Sequence, residues 1–569
     1  MSEPGDTTVQ GEASASRGLT LRATLLLVGV VVGVGITLGL VMTAKALLDP
    51  RIPEATGAPH FVEETTAAGI DQVYDGDLTF FVGGGVAAFD CNEDKKPDLY
   101  LAGGTNPAGL FVNESEPGGP LSFSRSDDQA SELTDVTGAY PIDIDSDGLV
   151  DLAVLRLGEN VILRGLGDCR FETANRAWGV DGGQQWTAAF SAEWEGSNTL
   201  PTLAFGNYVN VDERAHATEG CSDNYLIRPS GPDAYQEPTP LTPGWCTLSI
   251  LFSDWDRSGR RDLRMTNDRH YYRDGEEQLW RVETGAQPRL YTGDDGWQEM
   301  QIWGMGIASQ DLTGDGRPEV FLTSQGDNKL QTLSDDGGRP DYVDIALARG
   351  VTAPRPFVGD TVRPSTAWHA EFEDVNNDGY MDLYVTKGNV EAMPEFAAED
   401  PNNLLLGQAD GTFEESADTA GVLDVGRTRG AALVDFNLDG RLDLIDVNRR
   451  ENVRVWRNTG LAAEDGRPAG NWLAVELTQH GANRDAIGSW VEVDMGGGRT
   501  VQREVTIGGG HAGGQLGWIH FGIGDADTAR IRVQWPDGEL SPWMRVDANQ
   551  FFVVKRDETQ PNPWQPLPN

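Results

Sequence analysis

A nine-residue acidic loop recurs along this chain, and its spacing limits the folds available. The clearest copy runs Asp143-Ile144-Asp145-Ser146-Asp147-Gly148-Leu149-Val150-Asp151. Carboxylates stand at positions 1, 3, 5 and 9, with glycine at 6 for a sharp bend. Alternate side chains converge on one point, and the carbonyl of position 7 can join them. Hard oxygen donors in that number suit calcium, which takes six to eight ligands at about 2.3–2.6 Å; magnesium is the second choice. The loop is no EF-hand, whose last acid falls at position 12 between helices. Here the flanks Ala139-Tyr140-Pro141-Ile142 and Leu152-Ala153-Val154-Leu155 read as strands.

Six copies carry ligands. Counting the position-7 carbonyl, they are Asp90, Asn92, Asp94, Lys96 and Asp98; Asp143, Asp145, Asp147, Leu149 and Asp151; Asp254, Asp256, Ser258, Arg260 and Asp262; Asp311, Thr313, Asp315, Arg317 and Glu319; Asp374, Asn376, Asp378, Tyr380 and Asp382; and Asp435, Asn437, Asp439, Arg441 and Asp443. A further unit around Ser191 to Trp194 keeps the preceding strand but has lost the ligands, and no metal is assigned there. First positions at 90, 143, 191, 254, 311, 374 and 435 give a period of ~50–60 residues, the mark of a solenoid or propeller.

Each unit has a small-residue strand entering the loop, as in Gly84 to Phe89, an apolar strand leaving it, and two more short strands. Four strands per unit predict the blade of a β-propeller, here with seven blades. The first repeat-like piece, His60 to Thr65, matches the last strand of a unit, and the seventh unit lacks that strand. The two ends therefore complement each other and close the ring, which protects sheet edges.

The repeats over 60–460 resemble the FG-GAP/VCBS repeats of integrin α-subunits and bacterial exported proteins. That resemblance implies calcium in the loops, up to six ions, and seven blades. From Asn471 the chain reads as a small β-sandwich-like domain, 471–556. Its stretches Asn483 to Gly488, His520 to Gly524 and Val533 to Gly538 look like the ASPIC/UnbV domain. Repeats plus this domain resemble the cartilage acidic protein family and its bacterial relatives. The resemblance implies an extracytoplasmic binding or matrix role, and no settled activity for the domain.

The 22 uncharged residues from Ala23 to Ala44 are long enough to span a bilayer, which takes ~20. They predict an anchor rather than a cleaved signal, with Ala44-Lys45-Ala46 as the alternative cleavage site. Arg17 and Arg22 precede the span, so 1–22 stays cytoplasmic and the bulk lies outside, periplasmic or at the cell surface. Residues 45–59 read as a linker and 557–569 as a Pro-rich, disordered tail. The fold class is thus all-β: propeller, β-sandwich-like domain and one transmembrane helix.

A net charge of −45 makes nucleic acid an unsuitable partner. Cys91, Cys169, Cys221 and Cys246 form no C-x-x-C pair, which argues against zinc. Cys221 with Cys246 is the preferred disulfide because the two bracket the irregular stretch 207–250, read as an excursion between blades three and four; four free thiols are the alternative. No H-E-x-x-H or G-x-S-x-G occurs. Acids repeated in every blade are unlike a catalytic pair, which is singular. Trp368-His369 falls near the axis, where packing explains it, and Gly508 to His511 is a weak match to a phosphate loop. Asn483-Arg484-Asp485 reads first as a turn. The expectation is a non-enzymatic adhesion or scaffold protein with an unidentified protein or glycan ligand. A lectin, or an envelope-polysaccharide enzyme using the axis or 207–250, is the rival.

Overall fold

The computed structural model describes residues 56–210, 220–268, 275–334, 338–462 and 469–566. The 23–44 span lies outside them. Among the described residues no helix is long and apolar enough to cross a membrane.

The chain is all-β. Seven largely antiparallel sheets follow one another along it, six of four strands and the first of five, its fifth being Gly514–Gln515 paired in parallel to Val86–Phe89. Sheet 1 has Val86–Phe89, Asp98–Leu101, Gly109–Asn113 and Phe123–Arg125; sheet 2 has Val136–Ile142, Asp151–Arg156, Val161–Gly165 and Phe171–Thr173. Sheets 3 to 6 begin with Thr187–Glu193, Thr247–Ser253, Gly304–Gln310 and Ala367–Glu373. Sheet 7 takes Thr428–Val434, Asp443–Asn448 and Arg454–Ala462, and its fourth strand is Pro59–Glu63 from the start of the described chain. There Phe61 faces Asn458 and Glu63 faces Trp456, and Glu64 pairs with Arg457 at 2.9 Å. The first strand of each sheet touches that of the next, and sheet 7 touches sheet 1, so the seven contacts form a cycle.

These first strands are almost wholly buried, and several are rich in small residues, as in VAAF and GMGIASQ, because they crowd toward a common centre. The apolar second strands pack between neighbouring sheets; Leu99, Leu152, Leu263, Leu383 and Leu444 are all buried.

Two corrections fall in sheet 3. The stretch 207–250 is no excursion between units. It supplies the sheet's own outer strands, Asn224–Ile227 and Thr239–Leu241, after the second strand Thr202–Asn207. Proline and cysteine in that stretch mask the short apolar run Tyr225-Leu226-Ile227. Register also moves the loop: Glu193 faces Thr202 as Ile142 faces Asp151, so position 1 is Trp194 and not Ser191. Cys221 is bonded to Cys246, and Cys91 to Cys169.

The C-terminal region forms two four-stranded sheets. One orders Ile519–Gly524, Asn471–Thr478, Gln550–Lys555 and Asn562–Trp564; the other orders Arg499–Glu504, Trp490–Gly496, Thr528–Gln534 and Met544–Asp547. Leu473, Val475, Val491, Val493, Phe521, Ile531 and Phe552 share the core between them. Within 557–569, read as a disordered tail, residues 557–566 are described and include the strand Asn562–Trp564, whose Trp564 packs against Trp518 and Phe551; 567–569 lie outside the described residues. Pro53–Asn569 forms one compact unit.

Candidate metal-binding loops

Each acidic loop joins the first and second strands of its sheet, and its backbone repeats closely. The position-1 carboxylate accepts N–H groups from positions 5 and 6. Asp143 takes Asp147 at 3.1 Å and Gly148 at 2.9 Å; Asp374 takes Asp378 and Gly379; Asp435 takes Asp439 and Gly440. The position-9 carboxylate accepts the N–H of position 2 and one from the third strand. Asp151 holds Ile144 and Gly165, both at 2.8 Å, and Asp98, Asp382 and Asp443 do the same in their sheets. The position-7 N–H of Leu149, Tyr380, Arg441, Arg317 and Lys96 goes to the carboxylate at position 5. Position 6 has positive φ in every acidic loop: glycine provides it in five, and Lys95 adopts 68° in the first.

Acidic oxygens therefore gather in little space. One oxygen each of Asp143, Asp145 and Asp151 lie within 4.8 Å of one another. Burial, and then the charge of Asp485, pushes Asp143 up to about 7; burial pushes Asp254 to about 6. Burial also raises Asp98, Asp151, Asp374, Asp382, Asp435 and Asp443 well above the usual carboxylate range. Such clustered, desolvated charge calls for a cation. In sheet 7 the amide oxygen of Asn437, at position 3, is buried with no hydrogen-bond partner. An all-oxygen donor set with an orphaned acceptor fits calcium; sheets 2, 6 and 7 offer the fullest sets, with Arg164 on Asp145 and Asp147 in sheet 2 and Arg441 on Asp439 in sheet 7, and sheet 6 free of such pairs among the described residues.

Sheet 4 fits least. The Arg260 guanidinium lies on Asp262 at 3.0 and 3.1 Å, and Trp255 and Tyr291 also donate to that carboxylate. In sheet 5 Glu319 accepts Leu312 N–H and the Thr332 hydroxyl, while Asp311 accepts Gly314 and Gly316. In sheet 3 the loop keeps its length but carries Trp194 and Thr202 at positions 1 and 9, with Glu195 paired to Arg228 at 2.6 Å. Cys91, Asp98 and Cys169 also cluster, but both cysteines are spent in a disulfide.

The C-terminal region sits on these loops. Asn483 N–H donates to Ser146 Oγ and Arg484 to the Asp147 carbonyl; Trp518 donates to the Lys95 carbonyl. His520 Nε2 reaches Asn377 Oδ1 at 2.6 Å, Arg499 the Asp378 carbonyl, and Arg261 the Gly488 carbonyl. Arg503 pairs with Glu373 at 2.6 Å. The turn Asn483-Arg484-Asp485 is thus also a clasp on the second loop.

A segment of the same region fills the centre of the ring. Ile507, Gly508, Gly510, Gly513 and Gly514 bridge to Ala192, Leu251, Ile307, Ala139 and Ala87, inner-strand residues of five sheets. Backbone meets backbone: a Cβ on Gly85 or Gly138 would stand 1.7 or 1.8 Å from the Ala512 carbonyl oxygen. Gly508 to His511 is therefore an axial filler and no phosphate loop. His511 is buried there, its Nε2 accepting Gly83 N–H at 3.2 Å. The signal for this was present in two places far apart, glycine in the first strands and glycine in 508–514.

Residues 479–561 match the family profile described as ASPIC and UnbV, and 311–385 and 374–445 match the FG-GAP-like repeat. The chain thus carries FG-GAP-like repeats followed by an ASPIC/UnbV domain. No curated protein matches it. Similar solved structures include BBS1N in complex with ARL6DN, at 10% identity, TM-score 0.40, covering 70% of this chain and 97% of that one. Saccharomyces cerevisiae Sqt1 matches at 12% identity and TM-score 0.38, covering 71% and 99%. An Agrocybe aegerita lectin that recognises non-reducing terminal N-acetylglucosamine matches at 14% and 0.36, covering 65% and 93%. At these scores none of them indicates what this chain binds.

Proposed function

We propose that the chain is a calcium-stabilised, seven-bladed β-propeller held outside the membrane by residues 23–44, and that it acts as a non-enzymatic binding or scaffold protein of the cell envelope. The observation that supports this reading best is the placement of the acidic loops under the ASPIC/UnbV domain. Cations in the loops stiffen one face of the ring, and that face carries the second domain. The axis, where a ring of sheets most readily offers a polymer-binding or catalytic channel, is filled by 507–514, which leaves the rim and the opposite face for partners. Calcium sites of extracellular modules have dissociation constants of about 10⁻⁴–10⁻³ M, so they fill outside a cell and empty inside it.

The test is capture with the full-length protein from native envelope extract, in calcium and in EDTA, identifying protein and carbohydrate together. A partner retained in calcium and lost in EDTA is the expected result. Turnover of an envelope glycan by the purified protein, abolished by one or two substitutions, would overturn the reading.

A further inference from the structure

Between the loop face of the ring and the ASPIC/UnbV domain lies a chamber of about 450 Å³. That volume is in the range of small-molecule sites, about 300–1,000 Å³. An outer cleft of about 830 Å³ shares Lys95, Glu476, Thr478 and Arg484 with it, and Lys95 pairs with Glu476 at 2.6 Å in the wall common to both.

The chamber wall is unusual in its polar groups. Acidic side chains outnumber basic ones. Glu373 is neutralised by Arg503, but Glu371 and Glu504 have only neutral hydrogen-bond donors: Leu433 N–H and the Gln515 amide for the first, Asp254 N–H and Ser253 Oγ for the second. Burial pushes Glu371 up to about 7. His369 is 5% exposed, and its Nε2 makes no hydrogen bond. Its Nδ1 accepts the His511 N–H at 3.1 Å, so the ring proton is on Nε2, and burial keeps the ring neutral by lowering its pKa to about 4. Nε2–H is thus a donor in need of an acceptor, 3.6 Å from Glu371 Oε2, too far for a direct bond.

These facts select a ligand class. Anions are repelled. A transition metal is disfavoured at His369, because the nitrogen facing the chamber holds its proton. A hydroxyl bridges the His369–Glu371 gap, accepting from Nε2–H and donating to the carboxylate, and a cation meets the unneutralised acids. We propose that the chamber is a binding site for a small hydroxylated amine. This goes beyond the macromolecular binding proposed above and does not depend on it.

The experiment is calorimetric titration of the full-length protein in calcium with four probes: glucosamine, glucose, ethylamine and glucuronate. Glucosamine is expected to bind with one-to-one stoichiometry. Glucose lacks the charge and ethylamine the hydroxyls, so each should bind at least tenfold more weakly, and glucuronate not at all. Glu371→Gln should weaken glucosamine at least tenfold while calcium-dependent melting is retained; Glu504→Gln serves as the second variant. Absence of glucosamine binding to the native protein overturns the proposal. So does glucose or glucuronate binding as tightly, or unchanged affinity in both variants. If neither variant folds, the ranking of the four probes on the native protein decides.

Discussion

The loops of sheets 2 and 3 have the same length, join equivalent strands and stand side by side, yet they hold themselves together differently. Sheet 2 packs Asp143, Asp145 and Asp151 around one point; Arg164 covers Asp145 and Asp147 at 2.8 Å, while Asp143 and Asp151 have no ion pair among the described residues and are the charges a cation would meet. Sheet 3 has Trp194 and Thr202 in the matching places, and its one loop acid, Glu195, is met by Arg228 of its own chain and by the Thr202 hydroxyl. The strands thus set the frame of a loop, and a cation would be a local solution to local charge. A unit can dispense with it by carrying a guanidinium instead, as sheet 4 does in part with Arg260.

The largest effect should come from removing metal. At about 10 mM calcium, dissociation constants of 10⁻⁴–10⁻³ M give about 1.4–2.7 kcal/mol for each occupied loop. EDTA should therefore lower the melting temperature markedly and expose 143–151 to hydrogen exchange, while 194–202 stays protected. Equal exchange at both loops would break the comparison. Next is Arg228→Ala, which leaves Glu195 buried and unpaired; losing one member of a buried pair costs about 3–5 kcal/mol, and chemical denaturation should show the same loss with and without calcium.

Asp151→Asn follows. Two backbone N–H groups compete for one remaining acceptor, at about 1–3 kcal/mol, and the calcium-dependent increment of that loop should vanish in calcium titrations followed by melting.

The smallest effect is on pH. In the empty loops Asp143 and Asp254 are raised to about 7 and 6, so their contribution is full below the ordinary Asp range and is lost as pH rises through those values. Groups away from the loops, His369 and His511 among them, cancel in a difference. The gap in melting temperature between calcium and EDTA should therefore widen from pH 6 to pH 8, by the equivalent of about 1 kcal/mol. A gap that narrows would contradict the assignment of these carboxylates.

The frame was legible because its marks are local. Acids at fixed spacing, with glycine in five copies, announce the six loops, and the match of His60–Thr65 to a missing fourth strand announces the pairing of the two ends of the repeat region. Where the acids are gone, register was lost by three residues, at Trp194. Cysteine and proline hid Asn224–Ile227, and proline hid Asn562–Trp564. The axial segment was illegible for a different reason. Its glycines matter only against Gly85 and Gly138, hundreds of residues away, and no local pattern reports a contact between two backbones. The same holds for His369, whose open Nε2 depends on His511.

The pairing of Pro59–Glu63 with Arg454–Ala462 also sets a clock. Glu64 and Arg457 are 393 residues apart in the chain. At about 5–20 residues per second, a ribosome needs roughly 20–80 s to deliver the second after the first. For that interval the earliest strand waits unpaired, with a free edge that invites pairing with another chain. The nascent protein is most at risk of misassembly before Arg454–Ala462 arrives.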